Sequence, residues 1–238
     1  MHYWNKDNFE GLLDLAAALE QSNSELALLS KYCRGRESGL RQKAFEDLNQ
    51  FLDIAKSWPE KKSRAQCITI LELQSLVSAA HQFLSQPLLS KFIEPVLEKW
   101  LSDQPNNVSA LRWLGLLNGK FEYLSKALAL SPDDNPVRAK LISLELDEID
   151  FATHHLDENH LIGDLNEVLQ SIDNATQILS EAPRGFPAKR FEEEISQYAS
   201  MLKDWKDYSA TPVGTFPEWC AARARPYVWP TRIYYDKK

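Results

Sequence analysis

LIGDLNEVLQSIDNATQILS (residues 161–180) and FEEEISQYASMLKDW (residues 191–205) decide the fold. In the first stretch Leu161, Leu165, Val168, Ile172, Ala175 and Leu179 recur at steps of 4, 3, 4, 3 and 4. In the second, Phe191, Ile195, Tyr198, Leu202 and Trp205 recur at steps of 4, 3, 4 and 3. Side chains three and four residues apart share a face of an α-helix, whereas a half-buried strand alternates. Each stretch therefore predicts a helix with one narrow apolar seam. The short link at 181–187 predicts that the two pack antiparallel. The seam either closes within the chain or pairs two copies of it, so a homodimer through residues 161–205 is one expectation.

Working outward, the remaining pattern is also helical. Asp7 with Glu10 forms a capping box ahead of Phe9, Leu12, Leu13, Ala16 and Leu19, and Ser22 with Glu25 repeats it before Leu26, Leu29 and Cys33. Gly35 is the expected stop. Ser38 opens a helix with the stripe Leu40, Ala44, Leu48, Phe51, Leu52 and Ala55, which Trp58-Pro59 breaks. A long helix is predicted over 60–83, and another after Pro87 with a kink or bulge at Pro95. Shorter helices are predicted over 108–117 and 121–130, and a further one from Asn135-Pro136. Residues 209–238 hold four prolines and six aromatics. They read as an irregular tail with a short helix around 217–225 and a brief strand at Arg232 to Tyr235. The expected fold is all-α: stacked antiparallel helical hairpins over residues 1–208, with the aromatic, basic tail 209–238 packed on them.

Composition narrows the function. The 238 residues contain 44% hydrophobic side chains and only 8 glycines, against a usual glycine share of ~7%. No Gly-x-x-x-x-Gly-Lys-Ser/Thr, Gly-x-Gly-x-x-Gly, Gly-x-Ser-x-Gly or Cys-x-x-Cys pattern is present. Cys33, Cys67 and Cys220 are odd in number and far apart, unlike a disulfide framework or a zinc site. There is no apolar run of 18 residues, and the first residues lack a signal-peptide pattern. The expectation is a soluble cytoplasmic protein without cofactor, membrane or nucleic-acid partner.

Gln104-Pro105-Asn106-Asn107 and Ser131-Pro132-Asp133-Asp134 are matching proline-polar-polar turns, each between two helices. Pro105 to Gly115, with Leu114-Gly115 near its end, resembles the junction and first helix of a tetratricopeptide repeat. Lys126 to Asp134 resembles the end of that family's second helix and its turn. The spacing from Pro105 to Pro132 is 27 residues, where the family uses ~34. The resemblance covers residues 97–145 and implies stacked helical hairpins. It transfers no peptide-binding residue.

The charge pattern is the other strong signal. The chain carries −7 overall. Between Lys140 and Arg184 there are 43 residues without lysine or arginine, and they hold ten acids. That stretch sums to −10 and the rest of the chain to +3. Such a face draws basic partners and repels phosphate. It is either a solvated helix surface or a docking surface for a basic protein. Candidate contacts are Glu145, Asp147, Glu148, Asp150, Asp157 and Glu158, together with an exposed groove near Arg112, Trp113 and Arg138.

His154, His155 and His160 fall in the same stretch. Asp150, His154 and Glu158 are four apart and would share a face of a continuous helix. With His160 they define a rival reading, a metal-dependent or hydrolytic helical enzyme. A Cys33 nucleophile, flanked by Arg34 and Arg36, is a weaker thought. The leading expectation is a non-enzymatic module that binds a basic protein, in its most concrete form an immunity-type inhibitor of a toxin. A structural subunit of an assembly is a third reading.

Overall fold

A computed structural model describes residues 11–77 and 79–229. Among them every regular element is helical and no strand occurs. The Asp7–Glu10 cap and the strand expected at 232–235 lie outside the described residues. The chain divides into two compact units, Met1–Leu117 and Asn118–Lys238, where the sequence suggests one body over 1–208.

The first unit contains α1 (Leu12–Ser22), α2 (Ala27–Glu37), α3 (Arg41–Ala55), α4 (Glu60–Leu76), α5 (Gln86–Leu88), α6 (Glu94–Asp103) and α7 (Val108–Asn118), which ends at the division. Consecutive helices α1, α2 and α3 pack as hairpins, and α4 lies against α1 and α6. Several local expectations shift here. Asn23, not Ser22, caps the entry to α2, its side chain accepting from the Glu25 N–H at 2.9 Å. Gly35 does not stop α2; it lies within it. A Cβ there would approach the Ala44 Cβ at 3.0 Å, so the glycine lets α2 and α3 cross closely. The stop is Gly39, at φ +74. Leu40 falls before α3 and is exposed.

The helix expected over 60–83 ends at Leu76, which is 80% exposed. Beyond it Val77 and Ala80 close over Gly11, whose φ is +79. A Cβ on Gly11 would meet Val77 Cγ1 at 2.8 Å and the Ala80 N at 3.0 Å. This tertiary contact overrides the helical pattern and still buries Ala80 and Phe83. Before Pro95 the helix widens into a π-turn, Leu89–Ile93, the bulge that a proline in that register demands.

The second unit contains α8 (Phe121–Leu130), α9 (Asn135–Thr153), α10 (Leu165–Ser180), α11 (Ala188–Ala210) and α12 (Phe216–Ala221). α8 packs on α9, α9 on α10, and α10 on α11. The heptad-like seam of residues 161–205 is closed inside this unit. Val168, Ile172 and Ala175 bury against Phe191, Ile195 and Leu202 and against Ile142, Leu146 and Ile149 of α9. The apolar seam at 161–205, the expected route to a homodimer, is thus largely buried within this unit. Each of these side chains except Ala175 contributes about 1.5–3 kcal/mol on burial.

Residues 209–229 pack on the same unit. Phe216 and Cys220 bury with Leu156, Met201, Trp205 and Tyr208, and a Thr215–Glu218 capping box opens α12. Buried Asp204 anchors the segment, accepting from the Tyr227 hydroxyl at 2.6 Å and pairing with Arg225 Nε at 3.0 Å.

Candidate functional site

The acidic stretch begins on α9. This helix turns Leu141, Ile142, Leu146, Ile149 and Ala152 inward and leaves Asp147, Glu148, Asp150 and Phe151 exposed. It stops at Thr153, whose hydroxyl donates back to the Ile149 carbonyl at 2.8 Å. Three of its acids thus lie in its last two turns, and no basic residue stands in the last turn. The C-terminal end of a helix carries partial negative charge that acts on its last turn, so of the three only Asp150 opposes it. Together the three acids concentrate negative potential at the end of α9.

Past Thr153 the backbone changes course. His154 Nδ1 lies 2.6 Å from the Phe151 carbonyl, and the His154 and His155 rings are 4.0 Å apart. His155 Nδ1 lies 3.0 Å from Glu158 Oε2. Leu156–Glu158 is a single 3-10 turn ending at Asn159 in the left-handed region, φ 61. The Asn159 side chain accepts the Phe216 N–H at 2.6 Å, tying the acidic loop to the start of α12.

From α11, the Tyr198 hydroxyl donates to Asp150 Oδ1 at 2.9 Å. Burial first, then this carboxylate, push the Tyr198 phenol well above its ordinary value. Asp150, His154, Asp157, Tyr198 and Trp229 line a cleft of about 390 Å³, with Thr153, Gln197, Met201 and Val228 completing it. Carboxylates against an aromatic wall suit a cationic side chain.

The expected contacts divide sharply. Asp150 and Asp157 meet at this cleft, Asp147 and Glu148 lie exposed on α9, and Glu158 is held beside His155. Glu145 is corrected: it is buried and accepts from Asn174 Nδ2 at 3.1 Å. The exposed groove near Arg112, Trp113 and Arg138 is corrected too. Trp113 and Arg138 are buried, and Arg138 spends its guanidinium on the Ile178 carbonyl at 2.6 Å and the Pro132 carbonyl at 2.9 Å. Arg112 stacks on Trp113, 4.2 Å from the ring centre.

The premise of the metal reading also changes. α9 ends at Thr153, so Asp150, His154 and Glu158 share no continuous helix face, and His160 lies exposed beyond the turn. Among the described residues no three His, Cys, Asp or Glu side chains are grouped as metal ligands. Burial pushes the Cys33 thiol up to about 12, outweighing Arg36 and Arg34, which leaves it a protonated core residue.

Sequence reasoning missed Phe151, Tyr198 and Trp229 as surface features. Phe151 is 58% exposed between Asp150 and Ala152, and its signal is an aromatic standing off the buried stripe within an acidic run. Tyr198 reads as a seam residue, which it is, but its hydroxyl reaches out to Asp150. Comparison of the chain with protein-family models, with curated proteins and with solved structures gives no match. No helix among the described residues is long and apolar enough to cross a membrane.

Proposed function

We propose that this chain is a non-enzymatic interaction module whose second unit captures a basic protein at the C-terminal end of α9. The observation that carries the reading is the joint exposure of Asp147, Glu148 and Asp150 in the last two turns of α9, within a stretch that holds no basic residue. Exposed Phe151 supplies an apolar anchor in the same patch, as aromatic side chains do at the core of protein interfaces. The cleft beside it has the size and polarity to take a lysine or arginine from the partner.

An immunity-type inhibitor that masks a basic toxin or nuclease in the cytoplasm is the concrete form of this proposal. The twin turns at 104–107 and 131–134, which carry the likeness to a tetratricopeptide junction, share one capping geometry. In each, the fourth residue caps the next helix: Asn107 Oδ1 accepts from the Ala110 N–H at 3.0 Å, and Asp134 Oδ1 from the Val137 N–H at 3.2 Å.

The test uses the full chain and its Asp147→Lys/Glu148→Lys variant as parallel baits, with captured proteins identified by mass spectrometry. The expected partner is basic, is depleted about tenfold on the variant, and elutes as salt rises from about 0.1 to 0.5 M. A partner held equally by both baits, or indifferent to salt, moves the interface away from α9.

A further inference from the structure

A separate pocket lies wholly in the first unit and owes nothing to the acidic surface. It forms where Trp58-Pro59 turns the chain from α3 into α4, beside the π-turn and the start of α6. Its volume is about 230 Å³, and its walls are Leu52, Ala55, Trp58, Phe92, Pro95 and Val96. Phe51, Trp58 and Phe92 meet edge to face, with centroids 5.4 Å, 5.6 Å and 5.9 Å apart, so the aromatic wall is braced on both sides. The π-turn sets neighbouring side chains to opposite uses. Phe92 is buried in the wall, and Lys91 stands exposed on the rim.

The rim is cationic. Lys56, Arg64, Lys91 and Lys99 line it against a single carboxylate, Glu60. Glu60 is shared by Lys99 and Arg64, and Arg64 also pairs with Asp103. Lys56 bonds Asp53 at 2.7 Å. Among the described residues no carboxylate lies within ion-pair distance of Lys91. Lys91 acts only at longer range, on the Asp53 carboxylate that Lys56 already bonds, so the rim stays net positive at the mouth of an apolar pocket.

We propose that this pocket binds a small apolar monocarboxylate, its body against Trp58 and Phe92 and its head at Lys91. The volume falls below the ~300 Å³ of the smallest drug-sized sites, so the ligand is of fragment size. The cationic rim selects an anionic head over a neutral one, and the low polarity of the walls selects an apolar body over a sugar.

The probe is 1-naphthoate, titrated into the full chain by calorimetry beside the isosteric 1-naphthamide. Naphthoate is expected to bind with a Kd below about 1 mM, and naphthamide about fivefold more weakly, as one screened charge contact predicts. Lys91→Glu should remove the naphthoate advantage and leave naphthamide unchanged. Val96→Trp, which fills the pocket, should abolish both, while a thermal melt within a few degrees of the parent certifies that each variant is folded. Asp147→Lys/Glu148→Lys should bind both probes as the parent does, which separates this site from the acidic one. Equal affinity for the two probes, undiminished binding in folded Val96→Trp, or no heat at 5 mM naphthoate would each overturn the proposal.

Discussion

Tyr227→Phe tests whether the tail is held by chemistry or merely lies on the helices. The phenol donates to Asp204 at 2.6 Å, and the Asp204 side chain is 3% exposed. Hydrogen bonds to charged groups contribute about 1.5–3 kcal/mol. Tyr227 is half-buried, so the lower figure applies, and Arg225, 48% exposed, stays to hold the carboxylate at the modest value of a partly solvated ion pair. The expected loss is about 1.5 kcal/mol. For a chain of this size that lowers Tm by roughly 3–6 °C. The alkaline limb gives a second readout. Burial first, then the Asp204 bond, raise the Tyr227 phenol above its ordinary value. A raised acid keeps its proton in the folded state while the unfolded chain releases one, so stability is complete below about pH 10 and falls as pH climbs past it. The variant should lose part of that slope. Calorimetric melts at pH 7 to 11 measure both quantities. A shift under 1 °C at pH 7 with an unchanged alkaline slope would falsify the anchoring argument.

The packing sets three other outcomes. Gly11→Ala places a Cβ 2.8 Å from Val77 Cγ1 on a residue at φ +79, and denaturant titration should show a loss of about 2 kcal/mol or more. Leu202→Ala, at a fully buried position between α9, α10 and α11, should cost about 2–5 kcal/mol in the same assay; a loss under 1 kcal/mol would mean that the seam is not closed within the chain. Burial pushes Cys33 and Cys67 up to about 12 and Cys220 up to about 11. A thiol reagent at pH 8 should therefore titrate none of the three in the folded protein and all three in guanidinium, and rapid native labelling would contradict the core placement.

Much of the architecture is legible in the sequence because heptad spacing is a local property that burial then obeys. The α10–α11 hairpin, the proline bulge before Pro95 and the helix starting at Asn135 need nothing beyond their own neighbours. The departures share a different cause. Gly35 and the end of α4 mislead because their roles are set by residues on other elements, Ala44 for the first and Gly11, under Val77 and Ala80, for the second. Arg138 and Glu145 resemble surface charges because their type says exposed, while their position on the buried stripe of α9 says otherwise; carbonyls of Ile178 and Pro132 make the burial of Arg138 tolerable. The acidic patch is visible in composition. The cleft is not, since Tyr198 and Trp229 join Asp150 only after α11 and the tail have folded back.

The widened turn at Leu89–Ile93 carries a consequence for how this chain tolerates change in length. In register it is an α-helix with one residue in excess. Each residue of an α-helix turns the downstream chain by about 100°, and the wide turn takes up one residue, so excising exposed Ser90 alone should leave a regular helix with Leu88 and Leu97 still on their present faces. Both are fully buried now and would stay so; the cost would fall on Pro95, whose ring would then crowd the carbonyl one turn back. The wide turn is the place where this helix can lose a residue without turning either of its ends toward water.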